Sequence, residues 1–194
     1  MPSEEGLIEM FKTNAEKAFA ELYNRYSPVL YGICLRYSKN EADAEDILQE
    51  TFITVFNKIK QYRSEGSLEG WLKRIAVNTS INFYRKKIRL GTVSNDDIFF
   101  DFEIEETVFS KLTNDELVNL IRQMPEGYRM VFNLYVIEGY KHNEIADMLG
   151  VSESTSKTQL LKAKKYLKAL VLKTYPEIAK AYLNKDNSKL IFDF

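Results

Sequence analysis

The sequence predicts an all-α fold: two small helical domains joined by a flexible acidic linker, the second containing a helix-turn-helix. Three observations predict it. Apolar residues recur at spacings of three and four through most of the chain, with no convincing strand alternation and no internal repeat. Eight Gly and four Pro among 194 residues leave long stretches free of helix breakers. A polar, acid-rich segment from Gly91 to about Lys111 separates two helical stretches. The expected boundaries are therefore a first domain at 1–90, a linker at 91–112, a second domain at 113–172 and an extension at 173–194.

The elements follow in order. Phe19, Leu22, Tyr23, Tyr26, Leu30, Ile33, Cys34 and Tyr37 keep helical spacing and predict a helix bent or interrupted near Pro28. A second helix is expected from near Glu41 to about Lys60, with Ile47, Phe52, Val55, Phe56 and Ile59 inward. Gly66 and Gly70 break the pattern in the loop YRSEGSLEG. A third helix is expected from about Trp71 to Arg89, with Leu72, Ala76, Thr79 and Phe83 in the core. Beyond the linker, helices are expected at Asp115–Met124, at Glu126–Ile137 after Pro125, and as a pair meeting at Leu149-Gly150-Val151. Gly150 tolerates the left-handed backbone that ends a helix, and the Ser152 side chain can cap the next one. On that last helix Ser156, Leu160, Ala163, Leu167 and Val171 form a core stripe.

Composition narrows the class. A hydrophobic fraction of 45% supports real cores, and no apolar run approaches the length of a membrane span. MPSEEGLIEM lacks the basic-then-apolar order of a secretory leader, so a cytoplasmic protein is expected. Cys34 is the single cysteine, which excludes an internal disulfide, and is read as a small buried hydrophobe. His142 is the single histidine, so no typical zinc site is expected, and no cofactor.

The net charge of −1 hides a strong segregation. Glu41 to Glu50 contains five acids and no base, whereas Trp71 to Leu90 contains six bases and no acid. Asp96 to Glu116 contains eight acids and one base, and Lys141 to Lys173 seven lysines against three acids. Two basic patches are thus flanked by acidic segments, and the isolated chain should bind a polyanion weakly.

Three faces carry chemistry. Asp43, Asp46 and Glu50 share one side of the second helix, with Gln49 adjacent. That side is a solvated acidic face or a docking surface for a basic or polar partner; an enzyme holding a metal there is remote, because helical di-metal sites also draw on His and on inward Glu from other helices. Trp71, Arg74, Asn78, Asn82 and Arg85 fall in one narrow stripe of the third helix. An indole stacks on unpaired bases, amides pair with base edges and guanidiniums hold phosphates, so nucleic acid is the reading set against a solvated stripe beside a buried Trp71. The loop Tyr62 to Gly70 is a weak candidate for the wall of a pocket taking an extruded base. On the last helix Ser154, Lys157, Thr158, Leu161, Lys165 and Lys168, with Lys162 beside them, form a face with lysines and no acid. Such a face suits the DNA major groove; the plain alternative is a solvated lysine face.

The strings FAELYNRYSPVLYGICLRY, DAEDILQETFITVFNKI, GWLKRIAVNTSINFYRKK and MPEGYRMVFNLYVIEGYKHNEIADMLGVSESTSKTQLLKAKKYL, in that order and spacing, resemble the extracytoplasmic-function (ECF) group of the bacterial sigma-70 family. The resemblance implies a non-enzymatic subunit that binds core RNA polymerase and directs initiation at promoters. It implies that Asp43, Asp46, Gln49 and Glu50 meet the clamp helices of the polymerase large subunit. It implies that Trp71, Arg74, Asn78, Asn82 and Arg85 read and melt the −10 element, Asn78 meeting a flipped base. It implies that Lys157, Thr158, Leu161 and Lys162 face the −35 element while Thr155, Lys164 and Lys165 serve phosphates. It also implies that the acidic linker threads the polymerase and that an anti-sigma protein, often membrane-bound in this group, restrains the factor. The recognition helix departs from the group's frequent arginines: its basic residues are all lysines, which cannot make the planar two-point contact to guanine. A helix-turn-helix regulator acting on duplex DNA without polymerase is the alternative; it accounts for the lysine face but leaves the acidic helix and the Trp71 stripe unexplained. The segment KTYPEIAKAYLNKDNSKLIFDF lies outside the resemblance, and its apolar LIFDF end is expected to fold back or to bind another protein.

Overall fold

A computed structural model of the chain describes residues 2–90 and 112–177. The expected linker, apart from Leu112, and the LIFDF end lie outside the described residues. Among the described residues every regular element is helical, as the all-α reading expects. The chain divides into two compact units, Met1–Val93 and Ser94–Phe194.

The first unit opens with a helix that the apolar spacing from Phe19 onward did not reveal. α1 spans Glu4–Thr13; Ser3 caps it by accepting from the Gly6 N–H at 3.1 Å, and two acids sit in its first turn. Leu7 and Phe11, one turn apart, are buried. Asn14 then does two jobs: its N–H donates to the Met10 carbonyl at 2.8 Å, closing α1, and its side chain accepts from the Lys17 N–H, opening α2.

α2 spans Ala15–Tyr37 and continues through Pro28, so of the bend or interruption expected there the interruption does not occur. Pro28 and Asn24, whose carbonyl loses its helical donor, both lie on the exposed side, where water can satisfy that carbonyl. α3 spans Glu41–Lys58 from an Asn40 cap and tightens into a 3-10 turn at Ile59–Gln61. α4 spans Leu68–Arg89 from a Ser67 cap, starting three residues before Trp71. α2, α3 and α4 pack on one another, and α1 packs on α2. Leu22, Leu30, Cys34, Ala44, Val55, Leu68, Leu72 and Ala76 are inaccessible to solvent and form the core; each large aliphatic side chain buried this way stabilises the fold by about 1.5–3 kcal/mol. Burial pushes the Cys34 thiol up to about 12, so this cysteine packs as a hydrophobe and is not a ready nucleophile.

In the second unit α5 spans Asn114–Arg122 behind a reciprocal cap: Glu116 N–H donates to Thr113 Oγ1 while Glu116 Oε2 accepts from the Thr113 N–H at 2.8 Å. That bonding holds the Glu116 carboxyl below its usual range. Pro125 occupies the position before α6, Glu126–Phe132, which widens into a π turn over Asn133–Ile137. α7 spans His142–Leu149 and α8 spans Glu153–Thr174, beyond the expected domain limit. The α6–α8, α7–α8 and α5–α8 packings make α8 the spine of this unit.

Two charged residues of the second unit are buried among its described residues, Arg129 and Lys168. Arg129 is only 1% exposed. Its guanidinium donates to the Arg122 carbonyl at 2.9 Å and the Met124 carbonyl at 3.1 Å, and lies 3.6 Å from Glu126. It therefore closes the C-terminal end of α5, where carbonyls lack helical donors. Sequence reasoning assigned it nothing; its place one turn after Pro125 on the buried side of α6 was the available signal.

Candidate nucleic-acid interface

The stripe on α4 stays outside because the rest of the helix is committed inward. Leu68, Leu72, Ile75, Ala76, Val77, Thr79, Ser80, Ile81 and Tyr84 are buried against α2 and α3. Arg74, Asn78 and Asn82 are exposed, and Trp71 and Arg85 are half-buried at the ends of the same stripe. Phe83, expected in the core, is half-buried instead, with the Lys87 ammonium 5.2 Å from its ring centre. The Trp71 ring stands 5.3 Å from that of Tyr62, at 48°. The preceding loop turns through Ser64 and Gly66, both at positive φ, and the Tyr62 hydroxyl donates to the Gly66 carbonyl at 2.7 Å. The helix thus presents a flat indole, two amides and two guanidiniums together, beside an aromatic loop. Those groups can stack on unpaired bases, pair with their edges and hold the backbone.

On α3, Asp46, Gln49 and Glu50 are exposed. Asp43 is half-buried because it reaches Lys87 of α4 at 2.7 Å, the two side chains being 17% and 26% exposed. The acidic face is continuous with apolar surface: Ile53 is 55% and Phe56 49% exposed. Phe56 was expected inward; it lies at the edge of the α2–α3 contact, its ring edge-on to Phe19 at 5.4 Å with the rest open. Among the described residues no group of three or more His, Cys, Asp or Glu is placed to hold a metal ion.

The α7–α8 turn follows its sequence chemistry. Gly150 takes φ 71°, and the N–H groups of Gly150 and Val151 both donate to the Ala146 carbonyl. Ser152 caps α8 by accepting from the Thr155 N–H at 3.0 Å. The expected core stripe Ser156, Leu160, Ala163, Leu167 and Val171 is buried. Lys157, Thr158 and Leu161 are exposed; Thr155, Lys162, Lys164 and Lys165 are half-buried.

Two expectations for this face need correction. Lys168 is 4% exposed, so it belongs to the packed end of α8 and not to the outward face. The face is also not free of acid, because Glu153 reaches Lys157 at 2.6 Å and is held below its usual range by that partner. Both side chains are more than half exposed, so an incoming phosphate can replace Glu153 at little cost.

Sequence reasoning left His142 without a role. Its Nδ1 lies 2.9 Å from the buried Ser156 hydroxyl, and its ring stacks on Tyr135 at 4.4 Å. Burial first, and then the Lys157 charge, lower its pKa, with Glu153 opposing. Neutral imidazole therefore fixes the start of α7 to the first turns of α8.

Comparison with known proteins completes the picture. The sigma-70 region 2 family profile matches residues 22–89, and the sigma-70 region 4 profile matches residues 114–167. The ECF RNA polymerase sigma factor SigM of Bacillus subtilis is 29% identical over 152 residues, covering 77% of this chain and 93% of that protein. SigW of the same organism is 29% identical over 180 residues, covering 83% of this chain and 92% of its own length. The ECF sigma-E factor of Haemophilus influenzae is 26% identical over 178 residues, with 85% and 93% covered. Both profiles fall on the units that carry the faces described above, and the chain is a member of the extracytoplasmic-function group of the sigma-70 family of RNA polymerase sigma factors.

Proposed function

We propose that this chain lends promoter choice to core RNA polymerase through three surfaces with separate tasks. The exposed face of α3, with Asp46, Gln49 and Glu50 at its centre and Asp43 at its edge, docks on the clamp helices of the large subunit. The α4 stripe of Trp71, Arg74, Asn78, Asn82 and Arg85 captures unpaired bases of the −10 element, Asn78 meeting a flipped base. The α8 face reads the −35 element through Lys157, Thr158, Leu161 and Lys162, with Thr155, Lys164 and Lys165 toward phosphates. The observation that carries this reading is the α4 stripe. Five residues with base- and phosphate-binding chemistry share one side of a helix that buries Leu72, Ala76 and Ser80 on the opposite side.

The chain breaks no bond. Duplex opening is offset by stacking and pairing of extruded bases on the α4 surface, and is easiest at pyrimidine–purine steps. Two weak reading surfaces on one chain, joined by the acidic 91–112 segment, gain affinity through effective concentration. The site of action is the cytoplasm, where the polymerase is, and no helix among the described residues is long and apolar enough to cross a membrane. An anti-sigma protein, membrane-bound or soluble, is the expected restraint.

The test is reconstitution. The full chain, added to core polymerase stripped of other specificity subunits, should start transcripts at one position on promoters selected from a randomised library. A chain that binds duplex DNA as a palindrome-reading dimer and never programs polymerase would instead be an ordinary helix-turn-helix regulator.

A further inference from the structure

We propose that Glu153 and Lys157 act as one reading unit on α8 that selects a single G·C base pair of the upstream element, the carboxylate meeting the cytosine amino group and the ammonium the guanine acceptors. The inference rests on the proposed −35 reading of α8. It adds Glu153, which that reading leaves out, and commits the pair to one base identity.

Three observations point there. The first is placement. Glu153 is the first residue of α8, and its Oε1 lies 2.6 Å from the Lys157 ammonium one turn further on. The Glu153 side chain is 51% exposed and that of Lys157 60%, so both ends of the pair are open to a partner. In a helix-turn-helix the first turns of the second helix are the part that meets base edges in the major groove.

The second is the chemistry around the pair. Glu153 is the one acid in the sequence of α8. Lys157 holds its carboxyl below the usual range, so it is ionised and serves as an acceptor. Neighbouring hydroxyls are committed to the chain itself. Ser152 accepts from the Thr155 N–H at 3.0 Å and lies 2.8 Å from the Ser154 hydroxyl, and the Thr158 hydroxyl donates to the Ser154 carbonyl at 2.9 Å. Leu161 is exposed and apolar. Charged acceptor and charged donor at this end of the helix are therefore Glu153 and Lys157.

The third is the match of spacing. In a G·C pair the cytosine N4 amino group donates to guanine O6, so those two atoms lie about 2.9 Å apart. Both also face the major groove, where guanine N7 adds a second acceptor. The ion pair spans 2.6 Å and can stay closed along that edge. Its carboxylate accepts the second N4–H, while the ammonium keeps Glu153 and donates to O6 and N7. An A·T pair sets its donor between two acceptors and puts the thymine methyl beside one of them, so the ammonium meets a single acceptor. A phosphate engages Lys157 alone and leaves the carboxylate beside a polyanion.

The experiment uses holoenzyme reconstituted with the full chain and a duplex promoter that it selects from a randomised library. Each upstream base pair is changed to each of the other three pairs, and competition for the holoenzyme reads affinity. The wild type should lose about ten-fold or more when one particular G·C pair becomes A·T. Glu153→Gln and Lys157→Ala should each shrink the loss at that pair to below about three-fold and leave the other upstream positions as in the wild type, and the double variant should do no more than Lys157→Ala. Both residues are exposed, and circular dichroism checks that the helices persist. If Lys157→Ala flattens one position while Glu153→Gln keeps the wild-type profile there, or tightens binding to every sequence alike, Glu153 is a counter-ion for Lys157; the proposal is then overturned and the α8 reading stands. If the position flattened by both variants is an A·T pair, the base assignment is wrong. If neither variant alters any upstream position, the −35 reading of α8 fails and this inference falls with it.

Discussion

Reversing one acid on α3 separates docking from folding, because neighbouring carboxylates on that helix have different surroundings. Asp46 is exposed, whereas Asp43 reaches Lys87 at 2.7 Å. Asp46→Arg should change the stability of the isolated chain by less than about 0.5 kcal/mol, as for other surface substitutions. In the complex the new guanidinium faces whatever basic or polar surface the acidic face was built to meet. A like-charge or unpaired contact of that kind costs about 2 kcal/mol, or roughly a 30-fold rise in Kd for core polymerase. Asp43→Arg is the internal comparison. It replaces an attraction between side chains only 17% and 26% exposed with a repulsion. The expected loss is about 1–2 kcal/mol, and each kcal/mol lowers the Tm of a unit this size by about 4–8 °C. Thermal melting followed by circular dichroism reads the fold, and competition against labelled wild-type chain for core polymerase reads docking. Wild-type affinity in Asp46→Arg would refute the assignment of this face to polymerase. An unchanged Tm in Asp43→Arg would refute the role given to the Lys87 pair.

Further outcomes follow from the second unit. Lys157→Ala should lower initiation from promoters with a matched upstream element by about three- to ten-fold and reduce the salt dependence of DNA binding by about one ion; equal output from matched and scrambled elements would remove Lys157 from the reading face. Arg129→Met keeps bulk but orphans the Arg122 and Met124 carbonyls, and should cost about 2–3 kcal/mol, visible as a lower Tm of the second unit. His142 has a native pKa below that of the unfolded chain. Between the two values the unfolded state binds more protons, so stability should fall as pH drops below about 6.5 and level off beneath the native pKa. His142→Gln should flatten that part of the melting-temperature profile, and an unaltered slope would place its origin elsewhere.

Much of the helical layout was legible because single-helix periodicity is a one-neighbour problem. α8 shows this: Ser156, Leu160, Ala163, Leu167 and Val171 repeat at the helical period, and all are buried. Lys168 departs from the angular reading because α8 packs on three helices, α5, α6 and α7, which widens the buried arc beyond what one helix's sequence reveals. Phe56 failed in the opposite sense, since it sits at the rim of a contact where hydrophobicity does not decide burial. α1 was missed because ten residues carry too few periods to stand out. Its cap Ser3, followed by two acids and by Leu7 and Phe11 one turn apart, was the legible signal. The α4 stripe was readable by angle alone, yet the bond from the Leu68 N–H to the Glu4 carboxylate was not, because it joins residues 64 apart in the chain.

The Lys87–Asp43 bridge carries a constraint for anyone who would retune this factor. On the proposed division of tasks, position 87 belongs to the helix that meets the promoter, and position 43 to the helix that meets the enzyme. Transplanting a foreign α4 to alter promoter choice therefore imports a demand on the opposite surface: a donor sequence lacking a cation there strands a half-buried carboxylate. On that reading one ion pair links specificity to assembly, and compatible swaps should exchange both residues together.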